Sequence, residues 1–235
     1  MDDSEHNNKS DKSDQNVVTR GVHQVLNALF ETSPGSHNIL VYSDIRVLRD
    51  IYPVYIKYLL NNNEIILILT YYDHPSFMKE ILTGNHKKSD ANNIEGYVRD
   101  GSLVIVDSLM SYFNNNHKYA ADAENNLNFL SLIRILLNHG IRNNKNGITI
   151  FSDMGSFFHI GLQYDHDIRN NDVIIQRILE FERSIPSRYK NLELKKFCLY
   201  HQKDYESHFV TTRQKAQLLD CHGRSILVMD NNNDY

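Results

Sequence analysis

The chain has 235 residues, 41% of them hydrophobic, which is room for one large or two small domains and enough apolar material for a core. Its 25 basic residues are scattered among 29 acidic ones and the net charge is −4, so a basic nucleic-acid surface is excluded as a main feature. No apolar run approaches the roughly 18 residues of a membrane span. Residues 1–16, MDDSEHNNKSDKSDQN, carry no apolar core of a signal peptide, so a cytoplasmic location without membrane contact is expected.

Residues 1–16 are polar enough to be disordered, and 231–235 form a short polar tail. Between them the pattern reads as one α/β domain over 17–230. Residues 17–31 place Val18, Val22, Val25, Leu26 and Leu29 on one face, which predicts an amphipathic helix. Residues 39–42 are a short apolar strand ending at Ser43-Asp44. Leu48, Ile51, Tyr52, Tyr55 and Leu59 then recur at helical spacing, with Pro53 expected to kink that helix or start another. The run Asn61-Asn62-Asn63 stops it, and residues 65–70 form a second strand.

The same alternation continues. A helix is expected over 76–83, a polar loop over 84–93, and a strand over 103–106 that ends at Asp107-Ser108. Loop is expected at 114–116. Leu127, Leu130, Ile133 and Leu137 space a helix that Gly140 is expected to close as a left-handed cap. Residues 147–151 form a strand ending at Ser152-Asp153-Met154, followed by Phe157, Phe158 and His159 as a candidate lid or subunit contact. A helix over 172–182, a strand over 197–200, a helix over 209–220 and a strand over 225–229 complete the order. Continuous apolar strands alternating with amphipathic helices mark a mainly parallel sheet covered on both faces.

Ligands of open parallel sheets bind beyond the carboxyl ends of the strands. That rim is expected to hold Ser43, Asp44, Tyr71, Tyr72, Asp107, Ser108, Asp153, Met154, Tyr200 and His201. An aspartate at a strand-to-helix junction is often only the N-cap of the next helix. As a collection, though, such acids repel one another unless a proton, a cation or a polar ligand lies among them. The segment LVIVD at 103–107 has the form of a strand whose aspartate holds Mg²⁺ in an ATPase, but no glycine-rich phosphate loop ending in Gly-Lys-Ser/Thr exists in the chain. Cys198, His201, Cys221 and His222 fit structural zinc spacings poorly, and a disulfide between the two cysteines is not expected in a cytosolic chain. Cys198 reads as a buried small hydrophobe.

The stretches HNILVYSD, YPVYIKYLLNNNEIILILTYY, DGSLVIVDS, GITIFSDMGSFF and KFCLYHQKDY, with LLDCHGRSILV near the end, make most of 17–230 resemble the MEDS family. These are sensory domains named for methanogens, methylotrophs and the dichloromethane regulator, and they are regarded as relatives of KaiC and RecA ATPases without the phosphate loop. The resemblance implies a RecA-like three-layer α/β/α sandwich in which the strand ending at Asp153 lies between those ending at Asp44 and Asp107. It also implies a non-catalytic sensor of a small organic molecule, with no cofactor, signalling through a partner protein or by self-association. Two other readings remain open at this level: a nucleotide binder or enzyme that keeps Asp107 as a metal ligand, and an adaptor acting through a homo-oligomer.

Overall fold

A computed structural model describes residues 16–84, 88–113, 129–164, 171–184, 188–189 and 192–229. The expected disorder before residue 16, the loop at 114–116 and the tail at 231–235 lie outside the described residues. The strands, in chain order, are β1 (Asn16–Arg20), β2 (His37–Tyr42), β3 (Glu64–Thr70), β4 (Leu103–Asp107), β5 (Gly147–Asp153), β6 (Arg188–Tyr189), β7 (Leu192–His201) and β8 (Arg224–Met229). The helices are α1 (Val22–Phe30), α2 (Ile45–Asn61), α3 (Pro75–Thr83), α4 (Lys88–Arg99), α5 (Ser108–Tyr112), α6 (Phe129–Arg142), α7 (Gly155–Tyr164), α8 (Asn171–Ser184), α9 (Gln202–His208) and α10 (Thr212–Leu219).

The sheet runs β1-β8-β2-β7-β5-β3-β4, all pairs parallel, with β6 antiparallel to β7. Because side chains alternate along a strand, the central strands β2, β3, β5 and β7 feed two cores. Ile39, Val41, Leu67, Ile150, Cys198 and Tyr200 face α6, α7 and α8. Leu40, Tyr42, Ile66, Phe151, Phe197 and Leu199 face α1, α2 and α3. The result is a three-layer α/β/α sandwich. Ile65 through Leu69 are each at most 1% exposed, the burial on both faces that a continuous apolar run implies. Each such side chain contributes about 1.5–3 kcal/mol.

Several local expectations change. Residues 16–20 are the edge strand β1 rather than the start of a helix; Gly21, at φ 85°, makes the corner before α1. Helix α2 runs through Pro53 without interruption, costing the Arg49 carbonyl its helical donor. It ends where Asn63 takes φ 58°. The polar stretch expected as loop to residue 93 is helical from Lys88. Gly140 is no cap. It lies inside α6, where an added Cβ would stand 2.7 Å from Leu192 Cδ2 and 3.2 Å from Ile65 Cδ1, so it lets the helix sit close on the sheet. The helix expected over 209–220 begins only at Thr212, as α10; an unexpected short helix, α9, precedes it, with Phe209 buried at the turn between them.

Candidate functional site

At the carboxyl ends of the central strands one face carries a connected polar group. Residues two apart share a face. Asp153 therefore follows Phe151 onto the α1–α3 side, as His201 follows Leu199, Tyr42 follows Leu40 and Thr70 follows Ile68. The pairing Asp153↔Leu199 and Tyr42↔His201 sets these groups side by side across β5, β7 and β2.

Asp153 is the centre. Its side chain is almost wholly buried, and it accepts the backbone N–H of Tyr71 (3.1 Å) and of Gly155 (2.9 Å). Burial pushes its carboxyl up to about 7 despite those bonds, with the Asp204 charge adding to the rise. Above it, three segments meet. The Tyr72 hydroxyl donates to the Asp204 carboxylate and lies 3.1 Å from His159 Nε2, and His159 Nε2 lies 3.2 Å from the same carboxylate. Burial works against the Asp204 charge, but hydrogen bonds from His159 and Tyr72 outweigh it and hold the group below its ordinary range. Asp204 in turn raises the His159 imidazole. The Tyr71 ring stacks on His159, 5.5 Å between centroids and 2° between planes, and Tyr72 sits 5.6 Å from the His201 ring. A bidentate pair from Arg49 to Asp73, 2.6 and 3.1 Å, ties α2 to the turn after β3 and steadies the floor.

Among the described residues six hydroxyls are buried without a hydrogen-bond partner, those of Tyr42, Thr70, Ser108, Tyr112, Ser152 and Ser156, and of these Tyr42 and Thr70 stand on the Asp153 face of the sheet. Burial raises the Tyr42 hydroxyl, and the Asp153 carboxylate adds to the rise. Thr70 follows Leu69, the partner of Ser152, and so stands beside Asp153.

The predicted rim residues separate into two groups. Tyr71, Tyr72, Asp153 and His201 come together. His201 also caps α9, accepting the Lys203 N–H. Ser43, Asp44, Ser108, Met154 and Tyr200 do not join them, and Asp107 stands one strand further out, the register partner of Thr70. Asp44 caps α2 through the Arg46 N–H and pairs with the Arg46 guanidinium, which holds its carboxyl below the usual range; Ser43 precedes it on the same loop. Asp107 caps α5 through the Met110 N–H at the outer strand. Four strand steps of about 4.8 Å, a lateral offset of roughly 19 Å, separate β2, which leads to Asp44, from β4, which ends at Asp107. Asp107 instead edges an apolar cavity of about 420 Å³ with Val106, Met110, Phe129 and Leu132. Ser108 and Met154 are fully buried. Tyr200 is one residue from His201 and so points to the opposite face, where its hydroxyl donates to Glu182 Oε1 at 2.7 Å. Phe157 and Phe158 are core residues of α7, not a lid.

The chain matches no protein-family model and no curated protein. What the site can do is therefore read from its own geometry. From sequence His159 reads only as part of a candidate lid or subunit contact and Asp204 is not singled out; the signal for a place in the site was present only as a histidine four residues after Gly155 and an aspartate three after His201, each one helical turn into a helix that starts at the rim.

The zinc arrangement drawn from Cys198, His201, Cys221 and His222 does not form. His201 lies at the rim, and Cys221 Sγ donates to the Gln217 carbonyl at 3.3 Å. Cys198 and His222 do meet, with His37 and Glu182 as neighbours, on the α6–α8 side of the sheet.

Proposed function

We propose that this chain is a non-catalytic sensory domain of the MEDS kind, a RecA-like body that binds a small organic molecule at the carboxyl ends of β3, β5 and β7. The observation that carries the reading is the pair of unpartnered buried hydroxyls, Tyr42 and Thr70, around a buried carboxyl. Buried polar groups usually find a partner; what sets these two apart from the other unpartnered hydroxyls, Ser108, Tyr112, Ser152 and Ser156, is that both stand on the Asp153 face, where a ligand with a hydroxyl, carbonyl or amine supplies what they lack.

The acids select the ligand's charge. Asp204 is ionised and Asp153 ionises near neutrality, so neutral or cationic compounds fit and polyphosphates do not. The α2 N-terminus, the natural seat of a phosphate after the first core strand, already holds the Asp44 carboxylate. This weighs against nucleotide binding there.

Signalling follows from the joints. Tyr72, His159 and Asp204 belong to three segments, and a ligand that binds one arrangement of their hydrogen bonds better than another shifts the population of loop positions. A partner protein or a second copy would read that shift. A thermal-shift screen of short alcohols, amines, halocarbons and nucleotides tests the reading. Stabilisation by a neutral or cationic compound at millimolar levels, lost in Tyr72→Phe and in Asp153→Asn, is the expected result. Stabilisation only by Mg²⁺ nucleotides overturns it.

A further inference from the structure

We propose that His37, Glu182, Cys198 and His222 form a binding site for a divalent transition-metal ion of the zinc class. The site lies on the opposite face of the sheet from the rim and stands independently of the ligand reading above. His37 begins β2, Cys198 is in β7, Glu182 is on α8 and His222 lies just before β8. Along the β2 direction it is five residues, roughly 17 Å, below the end of the strand.

The donor atoms all lie within 4.8 Å of one another. His37 Nε2 is 2.9 Å from Glu182 Oε2 and 3.3 Å from Cys198 Sγ; Cys198 Sγ is 3.0 Å from the same oxygen, and His222 Nε2 is 3.5 Å from it. Metal bonds of about 2.0–2.3 Å place tetrahedral donors about 3.3–3.7 Å apart. The group is thus already at the size of a coordination sphere. Two imidazoles, a thiolate and a carboxylate are the donor types that zinc takes in closed four-coordinate sites.

The tautomer of His222 points the same way. Its Nδ1 lies 2.7 Å from the Leu218 carbonyl oxygen, which only accepts, so Nδ1 carries the proton. Nε2 is then the lone-pair nitrogen. It is fully buried, has no hydrogen-bond partner, and is aimed at a carboxylate oxygen. Two lone pairs facing each other in a buried place call for a cation between them, either a proton or a metal. Metal-bound histidines characteristically donate the other ring N–H to a carbonyl in this manner. Glu182 is oriented likewise, since Oε1 takes the Tyr200 hydroxyl and leaves Oε2 for the ion.

Binding releases the Cys198 thiol proton to solvent, and the charges of M²⁺, Glu182 and the new thiolate then sum to zero. One group opposes the ion. Lys196 Nζ lies 2.9 Å from Glu182 Oε2 and is a resident competitor for that oxygen. Removing its charge therefore strengthens metal binding, an effect that a purely structural ion-pair cluster does not produce. His37, whose side chain is 16% exposed, is the open side through which the ion enters.

The test uses the full chain, stripped with chelator, exposed to ZnSO₄ or CoCl₂ and desalted. Elemental analysis is expected to find about one ion per chain, and Co²⁺ to give the intense visible bands of a tetrahedral site with a thiolate-to-cobalt charge-transfer band. Cys198→Ser is expected to abolish the charge-transfer band. His222→Gln is expected to weaken binding at least tenfold, Lys196→Met to tighten it, and Cys221→Ser to change nothing, with circular dichroism reporting the fold of each. Absence of retained metal and of the charge-transfer band in the wild-type chain overturns the proposal. So does metal that Cys198→Ser and His222→Gln, both folded, leave unchanged.

Discussion

The Tyr72 hydroxyl donates its hydrogen bond to the Asp204 carboxylate, joining the turn after β3 to helix α9, which follows β7, across the end of the one intervening strand, β5. A hydrogen bond to a charged acceptor contributes about 1.5–3 kcal/mol. Tyr72→Phe is expected to lower stability by an amount in that range in urea titration. Asp204→Asn, which keeps the shape, is expected to lower it less.

Asp153 sets a pH dependence. Its carboxyl is at about 7 in the folded chain against the ordinary aspartate value of 3.8. The native state therefore holds a proton that the unfolded chain has lost. The stabilisation is complete below about pH 4 and is lost as pH rises through about 7, a difference on the order of 4 kcal/mol. His159, also raised, acts in the same direction. Asp153→Asn is expected to remove most of the slope, so that the variant gains on the wild type at pH 8 and not at pH 4. Parallel unfolding curves for the two chains at both pH values count against this.

Gly155 leaves no room for a side chain. A Cβ there would stand 2.6 Å from Tyr71 Cδ1, 2.8 Å from Tyr72 Cε2 and 3.1 Å from Asp153 Oδ1. Gly155→Ala is expected to displace both tyrosine rings, cost about 1–3 kcal/mol, and abolish ligand-dependent thermal stabilisation. Retained stabilisation in this variant places the ligand elsewhere.

The two capping aspartates are expected to behave differently. Asp44→Ala and Asp107→Ala each remove a carboxylate that accepts a helix N–H. Each is expected to cost about 1 kcal/mol in denaturant and to leave ligand affinity within twofold of the wild type. A large loss of affinity in either one enlarges the site toward that strand.

The layering of this fold was readable because its strands are apolar on both faces; Ile65–Leu69 has no other physical explanation. The side of the sheet was not readable at the strand ends. Tyr200 and His201 look equivalent in sequence, yet a one-residue step separates the buried hydroxyl on Glu182 from the ring beside Tyr72. Gly140 misled for a similar reason. A glycine near a helix end signals a left-handed turn in isolation, while here the neighbouring Leu192, 52 positions later, decides its purpose. Glu182 was hidden most completely. An acid at the end of an amphipathic helix reads as solvated surface, and only the start of β2, β7 and the approach to β8 show that it is fully buried among His37, Lys196 and His222.

The position of β2 has a consequence for how the molecule comes into being. Its two hydrogen-bonded neighbours are β7 and β8, strands made more than 150 residues later. While the chain is being synthesised, residues 37–42 therefore wait as an oily ribbon with both edges unsatisfied, after the α1–α2–β3 portion has left the ribosome. Shielding of that ribbon by a holding factor, or pausing that hastens emergence of the last strands, is the expected determinant of how much of the protein reaches its native state in a cell.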